Sequence, residues 1–220
     1  MSTHTRPASA TEWFIENLIL KDSLGLMHGI PQLEDAEDDL CGVSIAQKRP
    51  LVYLALDLLL HIDHSRVAPT KFRQQYPCYP ANSLFVTEWF KSDVLKRRIA
   101  DQSLSLGWRL QTAHFHFIAG AFTDLCDADT FDELLEIIEE KHIDLLVLDC
   151  DLMRVRGSEK ARHKAITSLQ DSVSTILDVS FHADAGPYGF SLDVDLTPGG
   201  IESITQPCGH TNALATKETK

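Results

Sequence analysis

Four carboxylates in this chain stand where strand-end chemistry would be expected: Asp149 and Asp151 in "HIDLLVLDCDLMR", Asp178 in "TILDVSF" and Glu88 in "LFVTE". In parallel α/β folds, ligands and reacting groups collect at the carboxyl ends of strands, so an acid closing an apolar run is a candidate cation ligand or general base. The same residue can equally cap the next helix or face water. Histidines form a second set: His61, Asp63 and His64 in "HIDH", and His114 and His116 in "HFH". Alternate positions on a strand share a face, which suits His114 and His116 to one metal, yet spacing places no third ligand and no metal site is adopted.

No G-x-x-x-x-G-K-[ST], G-x-G-x-x-G, G-x-S-x-G or H-E-x-x-H pattern occurs in the chain. The nucleotide-loop, dinucleotide, serine-hydrolase and zincin readings therefore lack their mechanical parts. The formal net charge of -12 argues against non-specific attraction to nucleic acid or an anionic membrane. Against that background the basic stretch "RVRGSEKARHK", with Arg154, Arg156, Arg162 and Lys164, is a candidate contact surface for an acidic partner. The five cysteines are widely spaced and show no C-x-x-C pair, so a reducing, cytoplasmic setting is expected. No apolar run approaches the ~18 residues that cross a bilayer.

The elements that must position these groups alternate. "SLFVTEWF" reads as a strand, "KSDVLKRRIADQSLSLGW" as a helix starting at Ser92 and stopping at Gly107, and "RLQTAHFHFIAGAF" as a strand. "DADTFDELLEIIEEKH" carries Phe131, Leu134, Leu135 and Ile138 on one helical stripe. "IDLLVLD" is the continuous apolar strand of a sheet covered on both faces; a helix over 159–172 and the strand "STILDVSF" follow. "LVYLALDLLL" reads as a buried strand, although its period allows a helix equally. Leu146, Leu148, Ile138, Leu135, Val86 and Ile176 are expected in one core. The expectation is one α/β domain over 12–205, flanked by polar tails 1–11 and 206–220, with strands in parallel.

Two families resemble parts of this pattern. "FDELLEIIEEKHIDLLVLDCDLMRVRG" is similar to the middle of a response-regulator receiver domain, with Asp149 as phosphoacceptor and Gly157 in place, although Met153 stands at the usual proline. That alternative implies an open, flavodoxin-like sheet. From about residue 50, "LFVTE", "LGWRLQTAHF", "IDLLVLD", "TILDVSF" and "GPYGFSLDVDLTP" together resemble, in order, the blocks of an EAL domain, the barrel of cyclic-di-GMP phosphodiesterases. This resemblance implies an incomplete or modified (β/α) barrel. It matches the family's metal-ligand positions to Phe85, Ala113, His114 and Ala55 and its catalytic lysine to Val147, leaving Asp149 and Asp178 as remnants. It therefore implies a bacterial cytoplasmic regulator without phosphodiesterase activity or cofactor, acting through a regulatory protein partner. The receiver and a small metal-dependent hydrolase using the histidines are the alternatives.

Overall fold

A computed structural model of the chain describes residues 12–31, 45–87, 90–108, 114–119, 127–149, 159–180, 188, 190–197 and 200–205. The strands are β1 (Trp13–Ile15), β2 (Ile19–Leu20), β3 (Leu24–Pro31), β4 (Thr70–Phe72), β5 (Tyr76–Cys78), β6 (Ser83–Thr87), β7 (Phe115–Ala119), β8 (Leu145–Asp149), β9 (Thr175–Ser180), β10 (Phe190–Thr197) and β11 (Gly200–Thr205). The helices are α1 (Ile45–His64), α2 (Ser92–Ser105), α3 (Ala128–Glu140) and α4 (Glu159–Ser172). The main sheet has the order β11-β10-β3-β9-β8-β6-β7, and a small antiparallel sheet has the order β2-β1-β5-β4. Every neighbouring pair of the main sheet is parallel except β10 with β11.

The main sheet is open. Its first and last strands, β11 and β7, do not pair with one another, so the expected EAL-type barrel, complete or broken, is corrected to an open α/β sheet. The order also differs from the five-stranded flavodoxin-like sheet of the receiver alternative, because β3 enters the centre, between β10 and β9.

Side-chain parity divides the core in two. Phe85, Val147, Leu177, Val179, Met27 and Leu192 point to one face, where they pack with α1, α2 and the small sheet. Leu84, Val86, Leu146, Leu148, Leu24 and Ile176 point to the other, under Leu134 and Ile138 of α3 and Ile166 and Leu169 of α4. Both faces are covered, which is why β6, β8 and β9 are buried at every position and read as unbroken apolar runs. The six residues expected to share a core do so, Leu135 from a partly buried position.

α3 forms where its stripe predicts. Asp127 Oδ1 accepts from the Thr130 backbone N–H at 3.0 Å and from its hydroxyl at 2.8 Å, capping the helix. α1 replaces the strand expected at "LVYLALDLLL". Wedged between the two sheets, it buries Leu51, Val52, Leu54, Ala55, Leu56, Leu58, Leu59, Leu60 and Ile62, which wrap most of its circumference and erase the helical period.

At the amino edge of the sheet, Asn82 ties four segments together. Its Oδ1 accepts from Arg66 Nη2 at 2.6 Å and His114 Nδ1 at 3.0 Å, its Nδ2 donates to the His142 carbonyl at 2.9 Å, and its backbone N–H donates to Asp144 Oδ2 at 2.8 Å. Asp63, at the end of α1, is 5% exposed and its Oδ1 has no hydrogen-bond partner. Burial raises its pKa above the ordinary 3.8, opposed by the charges of His114 and Arg66. In the unfolded chain Asp63 ionises near 3.8, whereas the native carboxyl holds its proton to higher pH. The group therefore costs no stability below 3.8, and its penalty grows as pH rises from there to the native value and is complete above it. Asp63→Asn should be more stable than the parent at pH 7, and the gap should narrow when urea midpoints are compared near pH 4. An equal gap at both pH values would show that the buried charge is not responsible.

Candidate functional site

The six parallel strands bring their carboxyl ends to one edge. β6 leads to α2 on one face of the sheet, and β8, its direct neighbour, leads to α4 on the other. Adjacent strands whose chains leave toward opposite faces open a crevice between them, which is where open α/β sheets hold ligands. Thr87 and Asp149 end these two strands and are register partners. The Thr87 hydroxyl donates to Asp149 Oδ2 at 2.7 Å, and the pair is buried, with Asp149 1% exposed.

Both side chains have the parity of Phe85 and Val147 and so point toward the α1 and α2 face. Asp178 lies in register with Leu148 and points to the opposite face. It is fully buried, and the Tyr188 hydroxyl donates to its Oδ2 at 2.7 Å. The sheet thus keeps Asp149 and Asp178 apart instead of joining them in one acidic site.

Of the other candidates, Glu88, Asp151, Arg154 and Arg156 lie outside the described residues. Arg162 falls within α4, and Lys164 is exposed on that helix, where it lines a shallow hollow with Lys160, His163 and Thr167. The histidines do not assemble a metal centre. His61 sits edge-on to Trp108 and Phe72, with its Nδ1 2.8 Å from the Asp57 carbonyl; His64 stacks on Trp108 at 4.2 Å; and His114 belongs to the Asn82 knot. Burial and neighbouring His61 both lower the pKa of His64. Among the described residues no group of three His, Cys, Asp or Glu side chains is placed to hold a metal ion. The metal-dependent hydrolase reading thus loses its ligands. Cys78 is free and buried, its thiol pushed up to about 11 by desolvation.

Thr87 and Tyr188, which hold the two acids, were not candidates by sequence. Thr87 stands one position before Glu88 in a run that reads as core, and Tyr188 lies in the segment that the EAL resemblance takes as a glycine-rich block. No sequence pattern links either to its carboxylate, since each contact depends on strand register or on the fold of the chain.

The geometry also removes the basis of the EAL comparison. Phe85 and Val147 are not vacated ligand positions at a strand mouth but core residues, 0% and 1% exposed, and Ala55 is on helix α1 rather than on a strand. Ala113 lies outside the described residues. The inferences that this chain is a non-catalytic EAL regulator, that it belongs to cyclic-di-GMP signalling and that its phosphodiesterase chemistry has been lost all fall with the barrel they assumed. So does the receiver reading, whose sheet this is not.

No family model matches the chain, and no curated protein matches it. Among solved structures it is similar to a KaiC-like protein from the hyperthermophilic archaeon Pyrococcus horikoshii OT3, with 14% identity, a TM-score of 0.52, and coverage of 92% of this chain and 88% of that one. No helix among the described residues is long and apolar enough to cross a membrane. At that identity the likeness is one of fold alone.

Proposed function

We propose that this chain is a ligand-binding α/β domain whose ligand, a nucleotide polyphosphate accompanied by a divalent cation, docks at the carboxyl edge between β6 and β8. The observation that carries this reading is the hydrogen-bonded Thr87–Asp149 pair at the point where neighbouring strands diverge to opposite faces. Support comes from the fold shared with a KaiC-like protein and from the chemistry of the pair.

Carboxylate and hydroxyl oxygens are hard donors, suited to Mg²⁺, and in nucleotide hydrolases of the P-loop type an Asp after an apolar strand holds that ion. Asp149 and Thr87 fit this donor set. A bound cation would supply charge neutralisation for the phosphates. The chain's own residues orient the carboxylate: Thr87 holds one oxygen, Oδ2, while the flanking strands fix the backbone. Because the sequence contains no G-x-x-x-x-G-K-[ST] loop, the phosphates must be gripped by other groups, and affinity is expected to be modest.

The test is titration with a fluorescent ATP analogue, with and without Mg²⁺. Saturable binding that requires the cation and weakens about tenfold or more in Asp149→Asn, a loss of about 1.4 kcal/mol, is the expected result. Binding indifferent to Mg²⁺ and to Asp149, or none at millimolar nucleotide, would overturn the proposal.

A further inference from the structure

Over one face of the main sheet, the neighbouring helices α3 and α4 turn surfaces of opposite charge to the outside. Leu134 and Ile138 of α3 point into the core, so the opposite side carries Asp129, Asp132, Glu136 and Glu139, all exposed. Ile166 and Leu169 of α4 point inward, and the opposite side carries Lys160, Lys164 and Thr167, with Asp171 at its far end. Lys160 and Lys164 make no ion pair among the described residues. Between the helices lies a hollow of about 440 Å³, lined by Leu135, Ile138 and Ile143 together with Glu139, His142 and Ser172. Because α3 joins β7 to β8 and α4 joins β8 to β9, and these strands all run one way, both helices return from the carboxyl edge to the amino edge, parallel to each other.

We propose that this helical layer is the interface with a second copy of the chain, in which α3 of each copy lies on α4 of the other around a two-fold axis parallel to the helices. An axis across the helices would set α3 on α3, carboxylates against carboxylates, and is opposed by their repulsion. With the axis parallel, the acidic stripe of each copy faces Lys160 and Lys164 of the other, and the hollow lined by Leu135 lies on the axis, where water leaves apolar surface. The net charge of -12 repels two copies at long range, but at about 0.15 M salt the screening length is about 8 Å, so the bodies are screened while ion pairs in contact are not. Helices of 13 and 14 residues are each about 20 Å long, and side by side they offer on the order of 400 Å² per copy. A stable interface of standard size takes about 800 Å² per partner, so this dimer is transient and needs a concentrated chain. The surface lies on the opposite face from Thr87 and Asp149 and does not rest on the nucleotide reading.

The test is sedimentation equilibrium of the full chain at about 0.15 M salt, from micromolar to millimolar chain. A mass rising from one chain toward two is expected. The double variant Lys160→Glu, Lys164→Glu turns the α4 stripe acidic, and Asp132→Lys, Glu136→Lys reverses the centre of the α3 stripe. Each alone should weaken association about tenfold or more at a nearly unchanged thermal midpoint. An equal mixture of the two should associate as the parent does, because each reversed stripe then meets its complement. A parent that stays a single chain at millimolar concentration, association indifferent to the reversals, or a mixture that fails to recover it overturns the proposal. If either double variant does not fold, carbodiimide cross-linking of mixed unlabelled and ¹⁵N-labelled parent decides. Links from Lys160 or Lys164 of one copy to α3 carboxylates of the other support the interface; links between copies only elsewhere, or none, overturn it.

Discussion

Leu148→Ala is expected to destabilise the protein by about 2–5 kcal/mol, the range for a leucine deleted from a packed core. Leu148 is fully buried near the end of β8, and β8 is hydrogen-bonded on both sides, to β6 and to β9. Its side chain packs in the cluster that holds Val86, Leu134, Ile138, Leu169 and Ile176. Collapse around the cavity would require a strand to leave its ladder, so little of the loss can be recovered. Leu104→Ala on α2 is the internal comparison, since Leu104 is 75% exposed and its truncation should change stability by less than about half a kcal/mol. Urea unfolding of both variants tests the assignment. A Leu148→Ala effect as small as that of Leu104→Ala would mean that β8 is not a central strand.

The elements legible by sequence were those with two independent local signals. α3 has its stripe and an Asp127 cap, α4 falls at 159–172 as expected, and β8 and β9 are short apolar runs that follow helices. β3 was not legible, although it is the central strand on which β10 and β9 both pair. "LGLMHGIP" is neither alternating nor continuously apolar, because Gly25 stands where the Phe190 ring of the neighbouring strand needs room and the half-buried His28 interrupts the apolar run. β10 does alternate, with Leu192 and Val194 buried and Ser191 and Asp193 only half-buried, as a strand does whose second face is not part of the core. The resemblance to an EAL block obscured that period. Hydrophobic strand blocks match many families, and only strand order separates an open sheet from a barrel.

The candidate site was half legible for a related reason. An acid ending an apolar strand marks Asp149 and Asp178 individually, and both are indeed buried there. Whether two such acids converge depends on the parity of their positions relative to the sheet register. Asp149 is one step past Leu148, the residue that pairs with Asp178, and that single step sends the carboxylates to opposite faces.

Gly25→Ala is expected to destabilise the protein by about 3 kcal/mol, at the upper end of the usual cost of overpacking. Gly25 on β3 and Phe190 on β10 are register partners, and the aromatic ring lies directly over the glycine, so an added Cβ would occupy the place of the ring carbons. Phe190 is 3% exposed and packed in the α1 and α2 core, so its ring has no open direction to retreat into. The variant must either expel the ring or push β10 away from β3. A double-mutant cycle isolates the cause. In the Phe190→Ala background, where the ring is gone, Gly25→Ala should cost less than about 1 kcal/mol, which gives a coupling of about 2 kcal/mol of the kind seen between contacting residues. An equal cost in both backgrounds would rule out the ring as the reason for the glycine.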